Sequence, residues 1–383
     1  MEDKNKGSIK MVDKEQSKVM PNARVLALYL PQFHPIPEND KWWGKGFTEW
    51  TNVGKAKPLF PGHYQPHVPA DLGYYDLRVP ETREDQAQMA RDYGIEGFIY
   101  WHYWFGNGKR LLERPFNEVL SSGKPDFPFA LAWANESWKG FWHGIDGKRE
   151  VLIEQLYPGE TDYIDHFYTI LPAFKDKRYI TCSDKPIFFV YYPKACPDMK
   201  LFISMWQKLA KENGLAGVYF IAFGRNLHSK KEADEYYSDV MGMGFDALCI
   251  VNFYKAPMSF IHKGLRRVFY DFLKVVPDLR PYNYEQVKCE IDQYDNVFPV
   301  LLSNWDHTPR TGRKGIVIYG STPEKFGQFV RKKIDLIKDK PYEKRFIIIK
   351  SWNEWAEGNH LEPDLRYGKG YLEALKEVVN NSE

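Results

Sequence analysis

Cysteine is scarce: the 383 residues hold four, Cys182, Cys196, Cys249 and Cys289, widely spaced and never as C-x-x-C. That pattern excludes a disulfide framework and a zinc ribbon. No apolar run approaches the length a bilayer requires, so no integral membrane segment is expected. Net charge is nearly absent too, with 53 Lys and Arg against 51 Asp and Glu, +2 overall. No global field recruits nucleic acid or an anionic surface. The first twenty residues, MEDKNKGSIKMVDKEQSKVM, lack the apolar core of a secretory signal. They read as part of a disordered tail, residues 1–23, on a cytoplasmic protein; a signal already removed would point to the periplasm instead. Residues 380–383 read as a frayed end.

Chemical motifs are missing as well. There is no G-x-x-x-x-G-K-[ST], no H-E-x-x-H and no D-x-D. The string Gly242–Ala247 matches G-x-G-x-x-A, but it precedes an expected strand instead of linking a strand to a helix, so it is no nucleotide fingerprint. His63 and His67 have metal-like spacing without a nearby Cys or acid in the sequence, and read as loop packing or sugar contact. No metal and no cofactor is expected. The basic runs Lys263–Arg267 and Arg331–Lys333 read as solvated faces.

What is abundant is aromatic: 12 Trp, 25 Tyr and 25 Phe, 16% of the chain. Rings with hydrogen-bonding tips serve both cores and binding faces. Short unbroken apolar runs recur at Val25–Leu30, Ile95–Trp101, Pro128–Ala134, Pro186–Tyr191, Gly217–Phe223, Phe245–Val251, Val297–Ser303 and Phe346–Ser351. Unbroken runs of this length mark parallel strands buried on both faces. Between them lie helical spacings, among them Thr82–Tyr93, Asp162–Phe174, Lys200–Asn213, Pro323–Lys338 and Gly370–Asn380. The alternation predicts an α/β protein with one (β/α)₈ TIM barrel over residues 24–379, with enlarged βα loops. An open doubly wound sheet is the alternative.

Active sites of such barrels sit where the strands end. The eight presumed ends carry Tyr29, Gln32 and His34; His102 and Trp104; Asn135 and Glu136; Tyr191 and Tyr192; Arg225; Tyr254; Asn304, Asp306 and Arg310; and Trp352 and Asn353. Rings, amides and carboxylates interleaved at one rim suit sugars, whose C–H faces stack on rings while their hydroxyls bond polar tips. The sharpest feature is Glu354-Trp-Ala-Glu357 after the eighth run. Three residues apart, the two carboxylates face the same way on a helical turn and diverge on an extended one. Glycosidic cleavage usually needs two carboxyl groups, one giving a proton and one acting as base or nucleophile.

The stretches SWNEWAEGNHLEP (351–363), ALYLPQFHPIPEND (27–40), WWGKGFTEW (42–50), YWHYWF (100–105) and WANESW (133–138) resemble the WbsX-like family. That family is often labelled as glycosyltransferases, and it is similar to glycoside hydrolase family 99, the endo-α-mannosidases and endo-α-mannanases. Family 99 implies retention through a 1,2-anhydro sugar. Carried over, Glu354 is the base on the sugar 2-hydroxyl and Glu357 the acid/base. Glu136 is implied as a third carboxylate of the sugar subsite and Tyr254 as an aromatic lining residue. Ala356 departs from the pattern, where family 99 commonly has His. An oligosaccharide or polysaccharide is the expected partner. The function expected is a glycoside hydrolase on an α-linked glycan. A transferase of surface-polysaccharide or lipopolysaccharide assembly is the alternative, and a non-catalytic glycan-binding module a third class.

Overall fold

In the computed structural model, residues 21–140, 150–227, 229–252 and 259–380 are described. Eight strands form the centre: β1 (Arg24–Tyr29), β2 (Gly97–Trp104), β3 (Phe129–Trp133), β4 (Lys185–Val190), β5 (Tyr219–Arg225), β6 (Ala247–Val251), β7 (Val297–Leu302) and β8 (Phe346–Lys350). Each pairs in parallel with its sequence neighbours, and β8 pairs with β1 (Leu26 opposite Ile348), closing the sheet on itself. The expected (β/α)₈ barrel is present, and the open sheet is not.

The strands form where β-branched and aromatic residues run without a polar break. All eight residues of β2 and all five of β3, β6 and β8 are buried. Inside, side chains of alternate strands fill the barrel; outside, helices cover it. The helix Pro323–Ile337 begins where Thr322 accepts a hydrogen bond from the Lys325 amide, followed by Pro at its first position. The helix Met199–Glu212 ends at Asn213, and Gly214 supplies the positive φ (83°) that turns the chain toward β5.

Loops at the C-terminal end are long. The β1 connection carries two short helices, Pro37–Trp43 and Glu49–Lys55, before the helix Pro80–Asp92. The connections before and after β7 share a small sheet in which Asp278–Pro281, Ile316–Tyr319 and Trp305–Asp306 pair. Asn22 donates its amide to the Val379 carbonyl (3.0 Å) and Ala23 is buried, so both are part of the packed body although the sequence reading puts them in the tail. Among the described residues no helix is long and apolar enough to cross a membrane.

Candidate active site

A cleft opens at the C-terminal end of the barrel. Its walls include Gln32, Trp101, Tyr103, Glu136, Trp138, Tyr191, Arg310, Lys350, Glu354 and Glu357. After β8 the chain makes a two-residue ribbon, Asn353–Glu354 against Asn359–His360, closed by a single 3₁₀ turn over Trp355–Glu357. In a 3₁₀ turn positions i and i+3 eclipse, so Glu354 and Glu357 converge. Gly358 ends the turn at φ 55°, with Asp306 so close that a Cβ would stand 2.7 Å from the Asp306 Cβ. Only glycine fits there.

One guanidinium links the carboxylates. Arg310 donates to Glu357 Oε1 at 2.5 Å and to Glu354 Oε2 at 3.2 Å, and its Nη2 lies 3.1 Å from Glu49 Oε2. Lys350, the last residue of β8, donates to Glu357 Oε2 at 3.1 Å. Glu357 thus holds two cations, whereas Glu354 shares one with two other acids. The proton affinities follow. Burial and then the charge of Glu357 push Glu354 up to about 7, against Arg310 and Lys350. Burial also opposes ionisation of Glu357, but Lys350 and Arg310 outweigh it and hold that carboxyl at about 2. Across the cleft, burial raises Glu136 to about 7, with Arg225 opposing. Arg225 lies over the rings of Tyr192 (4.0 Å) and Tyr191 (4.5 Å).

Of the residues expected to meet substrate, the structure brings Gln32, Glu136, Arg310, Glu354 and Glu357 to the cleft. The others lie behind its walls or elsewhere. Tyr29 points out of the barrel and donates to Gln86 Oε1 (2.7 Å). His102 meets His166 at 2.8 Å and Trp104 donates to Asp162 at 3.0 Å, both under the helix Glu160–Phe174. His34 is buried against the Pro31 carbonyl (2.9 Å). Asn135 ties β3 to β4, accepting from the Tyr192 amide (2.7 Å) and donating to the Tyr192 carbonyl (2.8 Å). Asn304, half-buried, accepts from the Ser303 hydroxyl at 3.3 Å. Trp352 is fully buried against Phe98. Asn353 accepts from the Leu30 amide (2.7 Å) and donates to its carbonyl (3.0 Å), fastening β8 to the β1 loop. Tyr254 lies outside the described residues.

Parity explains most of these placements. Successive side chains of a strand point to opposite faces, so beside the inward Trp101 and Tyr103 the neighbours His102 and Trp104 must point outward. Tyr103, Lys350 and Lys139 at the cleft and Glu49 on Arg310 are not among the expected substrate contacts, although Tyr103 stands in the aromatic run that ends the second strand. The signal for Tyr103 was present as strict alternation through β2; Lys350 reads only as a strand end, and Glu49 needs the fold.

Behind the acid pair the support is dense. Trp355 donates to Glu362 Oε2 at 2.6 Å and stacks on His360 at 3.7 Å. Tyr75 (2.8 Å) and Gln86 (2.6 Å) donate to the same Glu362. Asp306 accepts from His63, Gln65 and the Thr308 hydroxyl at 2.6–2.7 Å. His67 lies 2.9 Å from His360, and Asp364 lies 4.0 Å from the same His360 nitrogen. The other His360 nitrogen faces the Glu362 carbonyl (2.9 Å) and must carry the proton. The remaining nitrogen then accepts a hydrogen bond from His67.

A closed parallel barrel with a carboxylate pair at its C-terminal end defines a glycoside-hydrolase-like architecture. In structure the chain is similar to a "Glycoside hydrolase-like protein" (TM-score 0.60, 15% identity, 94% of each chain covered). It is also similar to the glycoside hydrolase family 99 endo-α-mannosidase from Bacteroides thetaiotaomicron (TM-score 0.56, 14% identity, 94% of this chain and 97% of that one). Residues 25–375 match the model of the family described as "Glycosyltransferase WbsX", and the chain belongs to that family. The uncharacterised protein WxcX of Xanthomonas campestris pv. campestris is 34% identical over 363 residues, 94% of this chain and 50% of WxcX. The chain therefore spans about half the length of the curated relatives it matches.

Proposed function

We propose that the protein cleaves an α-linked, mannose-like glycan, with Glu354 and Glu357 as its acid–base pair. The observation that carries this reading is the pair itself: two carboxyls on one turn at the barrel mouth, held by one guanidinium, with proton affinities pushed in opposite directions from the ordinary carboxyl value.

The electrostatics refine the roles. The resemblance gives the base to Glu354 and the acid to Glu357, yet burial and the Glu357 charge raise the proton affinity of Glu354, while Lys350 and Arg310 lower that of Glu357. We assign Glu354 as the donor to the leaving glycosidic oxygen. Glu357 removes the proton of the sugar 2-hydroxyl, whose oxygen attacks C1 to form a 1,2-anhydro sugar. Water then opens that ring, giving its proton to the Glu354 carboxylate, while Glu357 returns its proton to O2. Two inversions leave net retention. Trp101, Tyr103, Trp138 and Tyr191 supply rings for the sugar faces, and Glu136 supplies hydroxyl contacts. The cleft volume is about 120 Å³, which suits the reacting centre, the remaining sugar units lying along the open rim.

The second reading is a glycosyltransferase, favoured by the family's description and by three cations at the cleft, Arg310, Lys350 and Lys139. Arg310 and Lys350 both already pair with Glu357, which leaves less charge for a diphosphate. The test is to incubate the protein with α-mannooligosaccharides and no sugar nucleotide. New reducing ends support hydrolysis. No cleavage, together with thermal stabilisation by sugar nucleotides but not by oligosaccharides, supports transfer.

A further inference from the structure

From Phe260 to Phe272 the chain is helical, an α-helix over Phe260–Arg266 continuing as a π-helix over Arg267–Phe272. Ile261, Leu265, Val268, Phe269 and Phe272 recur at the spacing of a single helix face. A face of this kind is normally turned into a core. Here Phe260 is 92%, Ile261 71% and Phe272 82% exposed, and Leu265, Val268, Phe269, Leu273 and Val275 are exposed beside them. Scattered single apolar side chains on a surface need no explanation, but a contiguous set marks an interaction site.

The other face is basic. Lys263 and Arg267 are exposed, as is Lys274 just beyond the helix, and Asp271 is the only acid between residues 260 and 275. Arg266 is engaged inward: its Nε donates to Asp278 Oδ1 at 2.8 Å, and Asp278 is buried and also paired to Arg280. That pairing anchors the helix to the small sheet beside β7 while its apolar face points away. An exposed apolar face flanked by Lys and Arg is the pattern of a helix that lies in a bilayer interface, rings and aliphatics in the acyl boundary and cations at the phosphates. The excess of positive charge is local, since the chain as a whole is nearly neutral. It complements anionic lipid.

We propose that the segment Phe260–Val275 docks the protein on an anionic membrane surface. The segment follows β6, so it belongs to the same end of the barrel as the carboxylate cleft, and docking brings that end to the bilayer. The proposal does not depend on the reaction assigned above, because its test reads membrane association and not turnover.

The test uses the full chain, sedimented with vesicles of phosphatidylcholine alone and of phosphatidylcholine with a quarter phosphatidylglycerol. The protein is expected in the pellet only with phosphatidylglycerol, and less so at raised salt. Ile261→Ser/Phe272→Ser should abolish binding at an unchanged melting temperature. Lys263→Gln and Arg267→Gln should each weaken binding about fivefold. Wild-type protein remaining in the supernatant with both vesicles overturns the proposal, as does full binding by both sets of variants. A dimer seen by light scattering, lost in Ile261→Ser/Phe272→Ser without any vesicle binding, also overturns it and assigns the face to a second copy.

Discussion

Three acids, Glu49, Glu354 and Glu357, meet two cations, Arg310 and Lys350. Of the acid pair it is Glu354 whose carboxyl is raised, to about 7, by burial and the neighbouring Glu357. Activity should therefore hold a plateau at mildly acidic pH and fall about tenfold per unit above pH ~7, in a pH–rate profile of kcat/KM. A rise through the same range would contradict the assignment. The same carboxyl makes a stability prediction. Its folded value lies above its ordinary 4.5, so its favourable contribution is complete below that value and is lost as pH rises through about 7. Glu354→Gln removes the titration, so its melting temperature relative to wild type should climb between pH 5 and pH ~8. A constant difference would mean that the carboxyl is not raised. Sequence made the pair and Arg310 legible, because a short E-x-x-E string before glycine and the residues after a strand are local features. His102 and Trp104 failed by one position: each is the outward neighbour of the inward Tyr103, a parity that a run of consecutive aromatics conceals.

At the scale of elements, the turn Trp355–Glu357 is held from both ends. Ser351 Oγ accepts the Glu354 amide at 3.0 Å, and Gly358 lies against Asp306. Gly358→Ala combines a positive φ with a close backbone and side-chain approach, so it should cost at least ~1–2 kcal/mol and displace Glu357 from Arg310. Thermal melts and kcat/KM should both drop. Wild-type activity in this variant would show that the turn geometry is not critical. The eight strands were readable because each is an unbroken apolar run bounded by polar residues. The segment joining β6 to β7 was not: its helix has an apolar face that covers no core, so its pattern carries no tertiary meaning until the exposure is seen.

At the scale of the molecule, the closed barrel has no free edge, with β8 returning to β1 and Asn353 bonding the β1 loop across that seam. Such a body should unfold as one unit. Calorimetry is expected to show a single transition, and two separable ones would divide the barrel into parts. The whole-chain numbers were informative about what the protein does not resemble, and silent about local asymmetry. A net charge of +2 argued against any anionic surface, yet it averages over the basic, apolar helix at the rim. The aromatic share likewise divides between outward core rings such as Trp104 and Trp352 and cleft rings such as Trp101 and Tyr103.

The central claim, that Glu354 gives the proton and Glu357 takes one, is tested most directly by kcat/KM of Glu354→Gln and Glu357→Gln on two substrates. One is an α-linked oligosaccharide; the other carries fluoride, a leaving group that needs no proton. Both variants should lose at least ~100-fold on the oligosaccharide. On the fluoride, Glu354→Gln should recover to near the wild-type rate and Glu357→Gln should not. Recovery of Glu357→Gln alone would contradict the roles, and wild-type turnover by both variants would contradict the pair.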